Sequence, residues 1–133
     1  MCYIYFIEDT KEASYLYYRN CAVKITSDKL ETIDYIDLGG YVWKDHVIDR
    51  KFVRCSSDGC FYETFIKRIC GGEDTRVETM ESTIGFMMHG YKNLSYCPAV
   101  ILNDEVISDN PEGGTGKGLF MNALSQMKRL LGS

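Results

Sequence analysis

Nowhere along the 133 residues does the chain gather the roughly 18 consecutive apolar residues that a membrane-crossing helix needs. A secretory leader is missing too: the apolar run from Tyr3 to Ile7 is short and has no basic residues before it. Positive charge is scarce. Fifteen Lys and Arg stand against nineteen Asp and Glu, a net charge of −4, which argues against a module that holds duplex nucleic acid by charge alone. There are only two histidines, and no serine or cysteine has a recognisable base near it in sequence, so nothing points to nucleophilic catalysis. Internal repeats and low-complexity stretches are absent as well. These absences describe a cytoplasmic protein with no membrane partner.

What is there suffices for a core: 45% hydrophobic and 13% aromatic residues, too many for a disordered chain. Six cysteines (Cys2, Cys21, Cys55, Cys60, Cys70 and Cys97) read as reduced, mostly buried small hydrophobes. Zinc binding by Cys55, Cys60, Cys70 and His46 is the weaker reading, because no second close cysteine pair exists. Ten tyrosines are many for this length. Tyr15, Tyr17, Tyr18, Tyr35, Tyr41 and Tyr62 fit strand positions with one wet edge; a stacking platform for single-stranded bases is the sharper alternative.

The first half alternates as strands do. Residues 14–26 are rich in aromatic and β-branched side chains, Ser27-Asp28 makes a turn, and residues 30–35 return as the second strand of a hairpin. Residues 41–48 supply a third candidate strand, and residues 54–60 a polar loop. The period then becomes helical. Residues 61–70 place Phe61, Phe65, Ile66 and Ile69 on one face, with Gly71-Gly72 as the stop. Asp74 or Thr75 can cap a second helix whose apolar stripe is Val77, Met80, Ile84, Met87 and Met88. Residues 99–102 (AVIL) read as a short strand of the kind buried in a parallel sheet. Residues 119–131 form a last helix with Phe120, Ala123, Leu124, Met127 and Leu131 inward. The expected class is α+β: an N-terminal hairpin or small antiparallel sheet, a helical middle, then one strand–loop–helix unit. A boundary near residue 98 divides domain 1–97 from segment 98–133.

One motif carries chemistry. Residues 110–118 (NPEGGTGKG) lie between the apolar strand and the last helix, where a phosphate-binding Walker A loop belongs. Gly113, Gly114, Gly116 and Gly118 let the backbone curl so that successive N–H groups, with that of Thr115, face phosphate oxygens. The helix N-terminus adds partial positive charge, and Lys117 reaches the terminal phosphates. The pattern departs from GxxxxGK[ST] twice: Pro111 stands where glycine is expected, and Gly118 replaces the hydroxyl that holds Mg²⁺. The bland reading is a flexible loop before a helix.

The order of the pieces raises the stakes. The run YYRNCAVKIT with the strand after it, the turn Gly71-Gly72-Glu73-Asp74, the segment IGFMMHG, the apolar strand and GGTGKG together resemble the phage-, plasmid- and poxvirus-type primase-helicases over roughly residues 16–132. The likeness covers the helicase-associated domain and the first strand, loop and helix of a superfamily-three ATPase. Cys21 stands where that family usually has glycine.

The resemblance implies a ring-forming parent that uses ATP and Mg²⁺ to unwind DNA during replication of a mobile element. This chain is then expected to be a fragment ending just after its phosphate-binding loop. It would have no catalytic residues of its own, and ATP and Mg²⁺ would not be held tightly. Asp104-Glu105 resembles the acidic end of a Walker B strand but precedes the loop, so it reads as a solvated turn. An uncovered strand at residues 99–102 would favour homodimerisation, a segment swap, or packing of the C-terminal residues on the helical part. The alternative function is a stand-alone small binding or regulatory protein of a phage or plasmid, acting on a replication protein.

Overall fold

A computed structural model describes residues 3–105, 109 and 113–128. Among the described residues it holds a four-stranded sheet and three α-helices, so the α+β class with an N-terminal sheet holds. The strands are β1 (Ser14–Tyr18), β2 (Ala22–Ile25), β3 (Leu30–Ile33) and β4 (Val47–Ile48), in the order β3-β2-β1-β4.

The run at residues 14–26 is not one strand. It folds on itself: β1 and β2 pair antiparallel, with Tyr17 opposite Ala22 and Ser14 opposite Ile25. The physical reason lies at Arg19-Asn20, where two exposed polar residues interrupt the apolar alternation and Tyr18 N–H donates to the Cys21 carbonyl. Asn20 then anchors the turn. Its amide donates to the Phe52 carbonyl at 3.1 Å, and its oxygen accepts from Phe52 N–H at 2.7 Å. The Ser27-Asp28 turn and the return strand form as expected, β2 and β3 pairing antiparallel from Ala22–Ile33 to Ile25–Leu30. Residues 41–48 do not make a full third strand. Tyr41 bridges Phe6, Lys44–His46 form a 3₁₀ turn, and only β4 joins the sheet, parallel to β1. One face of this sheet gathers Leu16, Tyr18, Cys21 and Val23 under Ile25, Ile48, Phe52 and Met88.

Helix α1 (Phe61–Ile69) carries a Glu63–Lys67 ion pair one turn apart at 2.7 Å. It stops where the glycine pair predicts. Gly71 and Gly72 take φ of +67° and +74°, and their N–H groups donate to the Arg68 and Lys67 carbonyls. Half of its expected inward face holds, Ile66 being buried with Phe65 packed beside it, but Phe61 is 92% exposed and Ile69 is exposed, and Cys70 and Tyr62 join the core in their place. Position 61 opens the helix, where its side chain has no neighbouring turn to cover it. Helix α2 (Asp74–Met88) starts after Glu73 without a side-chain cap, so neither Asp74 nor Thr75 plays that role. Its five-residue apolar stripe does pack as read, with Val77, Met80, Ile84, Met87 and Met88 all against the second core cluster. Lys92 closes its far end by donating to the Phe86 and His89 carbonyls, groups that a helix otherwise leaves without partners.

Residues 99–102 do not form a strand. The segment is irregular and has no ladder partner among the described residues, and Ile101 is 81% exposed. A parallel strand needs neighbours on both sides, and the sheet of this molecule lies elsewhere. Helix α3 (Lys117–Ser125) is shorter than residues 119–131 suggest and starts two residues earlier. Phe120 and Leu124 are fully buried with Ile66 and Cys70, so α3 docks on α1 and α2. Ala123 and Met127 are half-buried, while Leu131 lies outside the described residues. Burying side chains of this size is worth about 1.5–3 kcal/mol each, enough to hold a nine-residue helix that could not stand alone.

Met88 packs against both clusters, and one carboxylate adds a polar tie between the sheet and the helices. Asp9, with a side chain 7% exposed, pairs with Lys128 at 2.5 Å and accepts hydrogen bonds from Ser14 Oγ, Tyr15 N–H and Gly90 N–H. Burial pushes its pKa up, but the bonds from Lys128, Gly90, Ser14 and Tyr15 outweigh that and hold it below the ordinary carboxylate range.

Candidate functional site

The glycine-lysine loop lies across α1. Gly113, Gly114 and Gly116 all take the left-handed conformation, with φ of +68°, +81° and +91°. The curl read from the glycine doublet is therefore present. Gly116 is further constrained by space: a Cβ there would meet the Phe65 ring at 3.2 Å. It precedes the first turn of α3, accepting from Phe120 N–H through its carbonyl at 2.9 Å, and no side chain caps the helix start. The opening N–H groups of α3 at Lys117 and Gly118 thus face outward from a helix end of positive character. Gly113, Gly114, Thr115 and Gly118 are exposed; Gly116 and Lys117 are half-buried. Asn110, Pro111 and Glu112 lie outside the described residues.

Lys117 is already engaged. Its ammonium pairs with Asp104 Oδ1 at 2.5 Å and donates to Thr115 Oγ1 at 3.0 Å. Hydrogen bonds from Lys117 and Thr115 hold the Asp104 carboxyl below its usual range. Asp104 is therefore not a freely solvated turn residue. Glu105, its neighbour, pairs with Arg76 of α2 at 3.2 Å, and Arg76 also pairs with Glu73 at 2.7 Å. These groups share one groove of about 610 Å³, walled by α1, α2, residues 100–105 and the start of α3. Sequence reasoning singled out Thr115, Gly116 and Lys117 of this groove but missed Asp104 as a lysine partner and Arg76 entirely. No spacing rule signals Arg76; it arrives through the docking of α2.

A second cavity of about 520 Å³ lies at the sheet, lined among others by Tyr15, Tyr17, Trp43, Tyr91, Asp9 and Lys128. The Tyr15 and Tyr17 rings lie parallel within 4°, centroids 6.2 Å apart. Their surroundings are chiefly structural. Tyr17 is buried and donates to the Ile7 carbonyl, Tyr35 donates to the Tyr18 carbonyl, and Tyr18 packs on Phe52. His89 is likewise committed, its Nε2 bonded to the Thr10 carbonyl at 2.6 Å, whereas His46 is exposed.

The cysteines are less buried than expected. Cys21 and Cys70 are buried, Cys55 and Cys60 are exposed because the polar loop at residues 54–60 stays on the surface, Cys97 is exposed too, and Cys2 lies outside the described residues. The five described cysteines are free thiols, and among the described residues no three His, Cys, Asp or Glu side chains converge as metal ligands would. No described helix is long and apolar enough to cross a membrane. Comparison of the chain with family models, with curated proteins and with solved structures gives no match.

Proposed function

We propose that this chain is a nucleotide-binding module of the primase-helicase type, which takes the phosphates of ATP on the loop from Gly113 to Gly118. The observation that carries the reading is the placement of Lys117. It stands at the uncapped start of α3, after three left-handed glycines, and lines a groove. Gly118 offers no hydroxyl to Mg²⁺, so the module binds without turning over. The DNA-unwinding ring, with its ATP and Mg²⁺, belongs to the proposed parent.

Titration calorimetry with ATP tests it. Binding should be weak, with Kd near 1 mM, about 4 kcal/mol, and Lys117→Ala should abolish it. Equal binding by the variant would remove the loop from the account, and steady ATP turnover would refute the claim of a non-catalytic module.

A second reading has a specific observation in its favour. Helix α3 buries Phe120 and Leu124 within the chain, and residues 99–102 stay out of any sheet. That suits a self-contained binding or regulatory protein of a phage or plasmid, acting on a replication protein. Complete absence of ATP binding in the same titration would leave this reading in place.

A further inference from the structure

We infer that Arg76 and Lys117 form a two-cation site for a polyphosphate chain, and that the dipeptide Asp104-Glu105 occupies this site as an internal stand-in for the ligand. The inference rests on the phosphate-binding reading of the loop and adds to it a second cation, from α2, and a built-in competitor.

The pairing pattern is the argument. Two cations from different helices line one groove, and two consecutive carboxylates answer them one to one: Asp104 to Lys117 at 2.5 Å, Glu105 to Arg76 at 3.2 Å. A linked pair of anions bridging two cations is also what a diphosphate or triphosphate presents. Thr115 adds a hydroxyl to the Lys117 end, and Arg76 brings a planar fork that suits phosphate oxygens. The acidic pair is displaceable. The side chains of Arg76 and Glu105 are 51% and 76% exposed, those of Lys117 and Asp104 41% and 31%, and ion pairs this open to water contribute little. The carboxylates also ride on an irregular segment with no ladder bonds among the described residues, so releasing them breaks no sheet. Glu73 remains on Arg76 after release and keeps its guanidinium oriented along α2.

The exchange makes affinity depend on what leaves as much as on what enters. Removing the internal anions frees Lys117 and leaves Arg76 paired to Glu73 alone, and the groove should then bind polyphosphate more tightly.

Calorimetry with inorganic tripolyphosphate, at one fixed low salt concentration, tests this on four proteins: wild type, Asp104→Asn/Glu105→Gln, and that double variant carrying Arg76→Ala or Lys117→Ala. The double variant should bind about tenfold more tightly than wild type, and either added alanine should remove at least that gain. Thermal melts of all four establish that each is folded. Unchanged or weaker binding by the double variant, with Lys117→Ala still abolishing it, would overturn the internal-competitor inference while leaving the loop reading intact. Retention of the full gain by Arg76→Ala would overturn the second cation. Absence of binding in every protein would overturn the inference and the loop reading together.

Discussion

The sheet and the segment beyond residue 98 are held by different kinds of bond. In the sheet, β1, β2 and β3 are neighbours in sequence, their backbone groups pair along two antiparallel ladders, and only then do Leu16, Tyr18 and Val23 close the core. Residues 99–105 form no regular structure and no ladder among the described residues; they lie along the helices through Leu102 and through ion pairs at Asp104 and Glu105. Extended chain becomes a strand only when another strand is available to it. The apolar content of AVIL matched a buried strand, but the edge it needed is absent from its side of the molecule.

The largest test of that contrast is Leu124→Ala. If side-chain docking alone holds the second region, deleting a fully buried leucine should cost about 3–4 kcal/mol in a urea melt followed by circular dichroism. A loss below about 1 kcal/mol would mean that α3 is not part of the cooperative core.

Next comes Asp9→Asn, which attacks the joint between the two regions. Removing one partner of a largely buried pair leaves Lys128 charged and unmatched, and should cost about 3 kcal/mol at neutral pH. The pH dependence has a definite sign. The folded pKa of Asp9 is depressed, so its contribution is complete above the unfolded value near ~4 and disappears as pH falls through the folded value. Wild type should therefore lose stability below about pH 4 more steeply than Asp9→Asn. Parallel acid profiles for the two proteins would show that the pair contributes nothing.

The smallest effect has the opposite direction. Tyr62 Oη is buried on the α1 side with no hydrogen-bond partner among the described residues, and burial pushes its pKa up. Tyr62→Phe should leave the protein equally stable or stabilise it by up to about 1 kcal/mol, read from the same melts. A clear loss would reveal a partner for the hydroxyl.

Legibility in the sequence followed the range of the interaction. The return strand at residues 30–33, the glycine stop of α1 and the five-residue stripe of α2 were readable because each depends on residues a few positions apart. The fold of residues 14–26 into two strands was missed: aromatic and β-branched content marks extension, while the break depends on Asn20 reaching Phe52. The face of α1 was misjudged at Phe61 because a helix end has no turn beyond it to continue the stripe. In the candidate site, Gly116 and Lys117 carried a local signature. Arg76 and Asp104 did not, since their meeting depends on α2 and α3 docking on one cluster.

The Asp9 carboxylate has a kinetic consequence. Its bonds join positions 81 and 119 residues apart in the chain, the first to Gly90 and the second to Lys128. Contacts of that span close large loops, and each closure costs chain entropy before it returns any stabilisation. The hairpins of residues 14–33 can pair early because their loops are short, whereas Asp9 acquires its full set of partners only when both helical ends have arrived. Until then it has only its local donors, Ser14 Oγ and Tyr15 N–H, five and six residues away. Completion of this joint is thus expected late in folding, after the hairpins have paired.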